Sequence, residues 1–201
     1  MSRRLFVALE PPAAVREEAR RAGDHLRRAV PHLQARFADP EAAHLTLVFL
    51  GRVDEAAVPA VVRAVEGVAR TSRRFTARTA GLGAFPTTAR PSVLWLGLED
   101  GASSGLPPLH TGLTDALAGT AALERKRFVP HLTLARVRTL RGVDRSQVGD
   151  ALAAFEPAAA AWPVDEVVLF ESELRPDGAR HMRLLTAQLG QPGRDREDAG
   201  R

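Results

Sequence analysis

The chain has 201 residues, 45% of them hydrophobic, no cysteine and a formal net charge of +4. That length and composition suit a single domain with a core of its own, and the missing thiols exclude disulfides, thiolate nucleophiles and cysteine zinc sites. All but one of the 28 basic residues are Arg, Lys126 being the exception, so the basic balance is compatible with a phosphate-bearing partner, whose geometry Arg forks suit, without requiring one.

Leu5 to Leu9 reads as a short buried strand, far too short for a signal segment or a membrane span. A soluble, cytoplasmic protein with no membrane association is expected, with monomer as the default state. Pro11-Pro12 ends the strand and opens a helix reaching about Val30, on which Val15, Ala19, Ala22, Leu26 and Ala29 recur at helical spacing. An extended piece, Gln34 to Phe37, leads to a strand that begins at His44 and ends at Gly51. Asp54 is a candidate N-cap for a helix running to about Arg70, with Pro59 near its first turns. A strand from Arg74 to Gly83, a turn-rich segment from Ala84 to Pro91 and a strand from Ser92 to Leu98 follow. Gly101 to Pro108 reads as a loop and Leu109 to Leu123 as a helix. A strand opens at His131, and Asp144 can cap a helix reaching about Phe155. Pro163 to Glu171 reads as one strand, Pro176-Asp177-Gly178 as a turn, and Arg180 to Leu189 as the last strand. Residues 191–201 are charged and almost free of apolar side chains, the composition of a disordered tail.

One tetrapeptide occurs twice. His44-Leu45-Thr46-Leu47 and His131-Leu132-Thr133-Leu134 are identical, and chance alone predicts well under one His-x-Thr triplet in such a chain. In a strand, residues i and i+2 share a face, so each copy sets an imidazole beside a hydroxyl while its leucines face a core. A half-buried strand with incidental polar residues would explain one copy. The pair needs more, because each copy is followed by helix, strand, turn and strand, with 49 residues from His44 to Val93 and 50 from His131 to His181. The expected fold is α+β and bilobal. Two pseudo-symmetric β-α-β-β units, about 44–99 and 131–189 within a single domain over 1–190, have mainly antiparallel sheets flanking a central cleft.

The paired His-x-Thr-x motifs resemble those of the 2H phosphoesterase superfamily. The phrases RLFVALEPP, HLTLVFLG, GLGAFP with RPSVLWLGL, FVPHLTLAR and LFESELRPDGAR resemble its RNA 2′,3′-cyclic phosphodiesterase branch, also called 2′-5′ RNA ligases. The resemblance covers the chain to about residue 189. It implies a hydrolase that opens RNA 2′,3′-cyclic phosphate ends to 2′-phosphomonoesters, with an RNA or oligonucleotide carrying such an end as partner. It further implies His44 as general acid to the leaving 3′ oxygen, His131 as general base to water, and Arg136 as a phosphate contact. His181 stands where the family frequently carries an aromatic residue.

The residues suit that chemistry. Opening the cyclic ester takes one proton from water and gives one to the leaving oxygen, and two imidazoles with an unperturbed pKa of about 6.5 can do both. Thr46 and Thr133 can donate to non-bridging oxygens where charge builds. No metal or other cofactor is demanded, and no HxH or HExxH pattern is present to hold a metal. Strict alternation puts Arg136 on the face opposite His131, so a phosphate contact needs a bulge or a strand end nearby. Phe49, in the corresponding place after His44, could stack on a base, although alternation also sends it to the core face. His25, His32 and His110 read as exposed or capping residues; His181 alone could approach the cleft. Ligation of tRNA halves with 2′-5′ linkage and binding of RNA ends without turnover are the alternatives.

Overall fold

The computed structural model describes residues 1–101, 104–120, 123, 127–143, 145–175 and 178–190; the Asp144 cap, most of the turn at 176–178 and the tail expected from 191 lie outside them. Among the described residues, nine strands and four helices follow in the order β1 (Ser2–Leu9), α1 (Ala13–Ala29), β2 (Gln34–Phe37), β3 (Leu45–Asp54), α2 (Val58–Thr71), β4 (Phe75–Thr87), β5 (Arg90–Glu99), α3 (Leu106–Leu117), β6 (His131–Thr139), α4 (Arg145–Ala153), β7 (Ala161–Val164), β8 (Glu166–Arg175) and β9 (Gly178–Gln188). Short 3-10 turns at Pro40–Ala42 and Glu55–Ala57 precede β3 and α2.

The strands form two sheets, ordered β3-β1-β8-β9 and β2-β6-β5-β4-β7, and every pairing between named strands is antiparallel. The sequence units are threaded through one another. The first motif strand, β3, shares its sheet with the hairpin β8–β9 of the second unit, and the second motif strand, β6, pairs with the hairpin β4–β5 of the first. β3 lies at the edge of its sheet, whereas β6 is flanked by β2 and β5. The two motif strands approach to within 8 Å between Cα atoms.

The helices cover the outer faces. α1 and α4 lie on the five-stranded sheet, α2 and α3 on the four-stranded one. Their buried stripes follow from helical spacing: Val15, Ala19, Ala22 and Leu26 on α1, Val61, Val65 and Ala69 on α2, Leu106, Leu109, Leu113 and Leu117 on α3. These join the inner strand residues in one continuous core, where each buried Leu or Val contributes about 1.5–3 kcal/mol. Glu18 is the charged exception on α1. Its carboxylate takes a two-pronged bond from Arg21 and a further bond from the Ala158 amide at 2.7 Å, which ties the 154–160 linker to the helix.

Several sequence expectations shift. The segment read as a turn from Ala84 to Pro91 is mostly strand, β4 running to Thr87 and β5 starting at Arg90, and α3 ends at Leu117 and not at Leu123. The single strand expected from Pro163 to Glu171 breaks at Asp165, because β7 pairs with β4 in one sheet and β8 pairs with β1 in the other. Asp54 makes no side-chain cap bond; a 3-10 turn follows it, and Pro59 sits in the first turn of α2. Helix α3 begins at Leu106, three residues before the expected Leu109, because Pro107 and Pro108 are tolerated in a first turn and the Asp100 carboxylate accepts the Leu106 amide at 2.6 Å.

Candidate active site

Each tetrapeptide is bent at its fourth residue. Against β1, Val7 pairs with Val48 and Ala8 with Thr46, so Leu47 is the extra residue of a bulge. Against β5, Leu94 pairs with Ala135 and Trp95 with Thr133, so Leu134 is the extra residue there. A bulge sets two successive side chains on one side and returns the next to the other. Leu47 and Val48 are accordingly both buried, as are Leu134 and Ala135. Phe49 and Arg136 thereby share the cleft side with the histidines and threonines, where unbroken alternation would have sent them to the core. Phe49 is 39% exposed.

The two histidines are held alike. His44 Nδ1 lies 3.1 Å from the carbonyl oxygen of Ala42, and His131 Nδ1 lies 2.7 Å from that of Val129, each two residues upstream. A carbonyl only accepts, so Nδ1 carries a proton in both rings, and Nε2 makes no bond among the described residues. Each Nε2 is therefore free to take or give a proton. The Thr46 and Thr133 side chains are half-buried on the same strand faces, and neither hydroxyl has a partner among the described residues.

Aromatic walls back both rings. His44 sits 5.0 Å from the Phe6 ring and 5.1 Å from that of His181, over the stacked pair of Phe6 and Phe170. His131 stands edge-on to Phe85 at 4.9 Å, with Trp95 at 6.1 Å. Phe6, Ala8, Val168 and Phe170 form a small cluster apart from the main core, closed over by this arrangement. Burial in these walls is the main force lowering both pKa values from 6.5. The Ala42 carbonyl and the Glu10 carboxylate oppose the shift at His44, where a charge on His131 adds to it. At His131 the Val129 carbonyl opposes it and Arg136 adds to it. Glu10 is itself paired with Arg183 at 2.6 Å.

The cleft continues to either side. On the His131 side is a cavity of about 710 Å³ lined by Thr46, Phe49, Phe85, His110, Phe128 and His131, largely apolar and wide enough for a ring system. On the His44 side a cavity of about 340 Å³ mixes charged and apolar walls, Glu10, His44, Arg180, His181 and Arg183 facing it with Phe6 and Phe170. Arg36, Thr133 and Arg136 meet at a smaller one of about 210 Å³. The six candidate residues are divided among these cavities, Thr46, Phe49 and His131 at the first, His44 at the second and Thr133 and Arg136 at the third, and His131 lies near enough to His44 to act on its charge. His110, read from the sequence as exposed or capping, is half-buried and stacks on Phe128 at 4.1 Å in the wall of the larger cavity. His25 bonds the Ala151 carbonyl at 2.8 Å and ties α1 to α4. Phe6, Phe85, Trp95, Phe170 and Glu10 were not singled out from the sequence; their proximity to the motifs arises from strand pairing, with no local signal. Among the described residues no three His, Asp or Glu side chains gather as metal ligands would, and no helix is long and apolar enough to cross a membrane.

Comparison with known proteins gives a consistent result. A profile of the 2′-5′ RNA ligase superfamily matches residues 10–176. A Thermus thermophilus protein named RNA 2′,3′-cyclic phosphodiesterase is 32% identical over 200 residues, covering 96% of this chain and 93% of that one. A Methanothermobacter thermautotrophicus protein of the same name is 29% identical over 179 residues, covering 89% of this chain and 94% of the relative. Among solved structures, a Thermus thermophilus protein superposes with a TM-score of 0.74 at 28% identity, over 92% of this chain and 97% of that one. E. coli LigT complexed with 3′-AMP does so with a TM-score of 0.71 at 25% identity, over 94% and 99%.

Proposed function

The chain belongs to the 2′-5′ RNA ligase superfamily, and within it we propose a hydrolase that opens RNA 2′,3′-cyclic phosphodiester ends to 2′-phosphomonoesters through paired acid–base action of His44 and His131, without a metal ion. The names of the relatives support the activity. The observation that carries the mechanism is the matched pair of imidazoles, each anchored through Nδ1 to a carbonyl, with Nε2 unbonded among the described residues.

The reaction runs as follows. Nε2 of neutral His131 takes a proton from water as its oxygen bonds phosphorus. The bond from phosphorus to the ribose 3′ oxygen breaks, and Nε2–H of protonated His44 supplies that oxygen with a proton. The phosphate stays on the 2′ oxygen, and the two rings then exchange protons with solvent. Thr46, Thr133 and Arg136 donate to the non-bridging oxygens, where a low-dielectric setting strengthens each bond. Phe49 provides a face for a nucleobase at the edge of the apolar cavity.

Fixed charges favour this polarity. Repulsion between the imidazoles is mutual and does not choose between them, so the pair holds one proton more readily than two. Glu10 favours that proton on His44, and Arg136 disfavours it on His131. The test is incubation of the wild-type protein, in EDTA, with a short oligoribonucleotide ending in a 2′,3′-cyclic phosphate. Metal-independent release of the 2′-phosphate end is expected. A requirement for added metal would overturn the mechanism, a 3′-phosphate product would overturn the polarity of cleavage, and tight binding with no turnover at any pH would leave a sensor of RNA ends instead.

A further inference from the structure

The imidazole beside His44 that belongs to neither tetrapeptide is His181, on β9 in register with Ser172 of β8. Its ring stands edge-on to His44 with centroids 5.1 Å apart, and edge-on to Phe6 at 4.9 Å. Nδ1 is sealed from solvent with no hydrogen-bond partner. Nε2 has no partner among the described residues either, but it is not enclosed, and His181 lines the cavity of about 340 Å³ with His44, Arg180 and Arg183.

The contrast with His44 and His131 is in Nδ1. Their Nδ1–H groups have carbonyl acceptors, so both the neutral ring and the imidazolium are satisfied there. At His181 a proton on Nδ1 would be a buried donor with nothing to accept it. The neutral ring therefore carries its proton on Nε2, and a second proton has no good place to go. Burial, a charge on His44 and the guanidinium of Arg4 all oppose that second proton. The carboxylates facing the same cavity do not offset this. Glu10, 2.6 Å from Arg183, acts on His44 and not on His181, and Glu41 is held by Arg20 at 2.9 Å and Arg16 at 3.5 Å.

A ring that cannot cycle its proton is a poor acid or base and a good fixed donor. We propose that His181 is a substrate contact of the reaction proposed above, donating its neutral Nε2–H to an anionic phosphate oxygen held against His44. Arg180 on the same cavity wall adds a positive charge on that side, Arg183 being held by Glu10. His181 thus sets affinity on the His44 side and leaves proton transfer to the motif pair.

The experiment compares wild type, His181→Phe and His181→Gln in two measurements. One is KM and the pH–rate profile with the cyclic-phosphate oligonucleotide; the other is the Kd of adenosine 2′-monophosphate by calorimetry, which needs no turnover. His181→Phe keeps the aromatic wall and removes the donor, so KM and Kd rise about tenfold or more while the limbs of the pH profile stay in place. His181→Gln restores an N–H and recovers most of that loss. Unchanged KM and Kd in His181→Phe would overturn the proposal, as would a glutamine variant no better than phenylalanine. A displaced pH limb with KM unmoved would also overturn it, making His181 an electrostatic neighbour of His44 only. Failure of the wild type to turn over would sink the proposed activity, while the calorimetric arm would still decide the role of His181.

Discussion

Phe49 and Arg136 stand in the same place, five residues after His44 and His131, and each is returned to the cleft by a bulge at the fourth residue of its tetrapeptide. The repeat thus specifies a bent strand and not only a pair of side chains. One copy ends in a ring facing an apolar cavity, the other in a guanidinium beside Thr133.

That division predicts different kinetic losses. Arg136→Ala should lower kcat/KM roughly 10- to 100-fold, the worth of about 1.5–3 kcal/mol for a hydrogen bond to a charged group. Arg136→Lys should recover only part, since the planar fork is lost. Phe49→Ala should act chiefly on KM, by about 1–3 kcal/mol if a base stacks there. Steady-state kinetics on the cyclic-phosphate oligonucleotide separates the two; an unchanged KM in Phe49→Ala would remove the base from that wall.

Much of this site was legible in the sequence, and the part that was not has a definite cause. The duplicated His-x-Thr, the helix faces and the antiparallel hairpins follow from residue periodicity. Period-two alternation carries no information about a bulge, so the faces of Phe49 and Arg136 could be named only as conditions. Nor does it say which hairpin a strand pairs with. The walls of Phe6 and Phe170 against His44, and of Phe85 and Trp95 against His131, come from residues far away in the chain. The split at Asp165 has the same origin, since one apolar run serves two sheets in turn.

Glu10 offers a test of the charge argument. Its carboxylate favours protonated His44, so Glu10→Gln should make His44 lose its proton at lower pH and shift the basic limb of the kcat/KM profile toward acid. Activity at pH 7.5 falls more than activity at pH 5.5. A basic limb that stays in place would mean that Glu10 does not act on the acid.

The Trp95 wall depends on a missing side chain. A Cβ on Gly83 would lie 2.2 Å from the Trp95 ring, so the ring must move if alanine is introduced. Gly83→Ala should cost about 1–3 kcal/mol, the usual range for overpacking, and lower kcat by displacing a support of His131. Urea denaturation and kinetics together check this, and a variant as stable and active as wild type would contradict it.

Acid should destabilise the fold early. His44, His110, His131 and His181 all have pKa values below 6.5, burial being the first cause in each. The unfolded chain then binds more protons once the pH drops below about 6.5, and stability is lost as pH falls through the lowered folded values. Thermal melts should show Tm declining from pH 7.5 toward pH 5, before carboxylates with ordinary pKa values titrate appreciably. A Tm flat over that interval would show that the four rings are not held neutral by burial.

The central claim is that His44 and His131 act as one unit, and a double-mutant cycle tests it most directly. Initial hydrolysis rates of the cyclic-phosphate oligonucleotide in EDTA are measured for wild type, His44→Ala, His131→Ala and the double variant. Each single variant should lose about 10²–10⁴-fold in kcat, and the double variant little more than the worse single, because half of an acid–base pair retains little of its effect. Wild-type rates in either single variant would contradict the account.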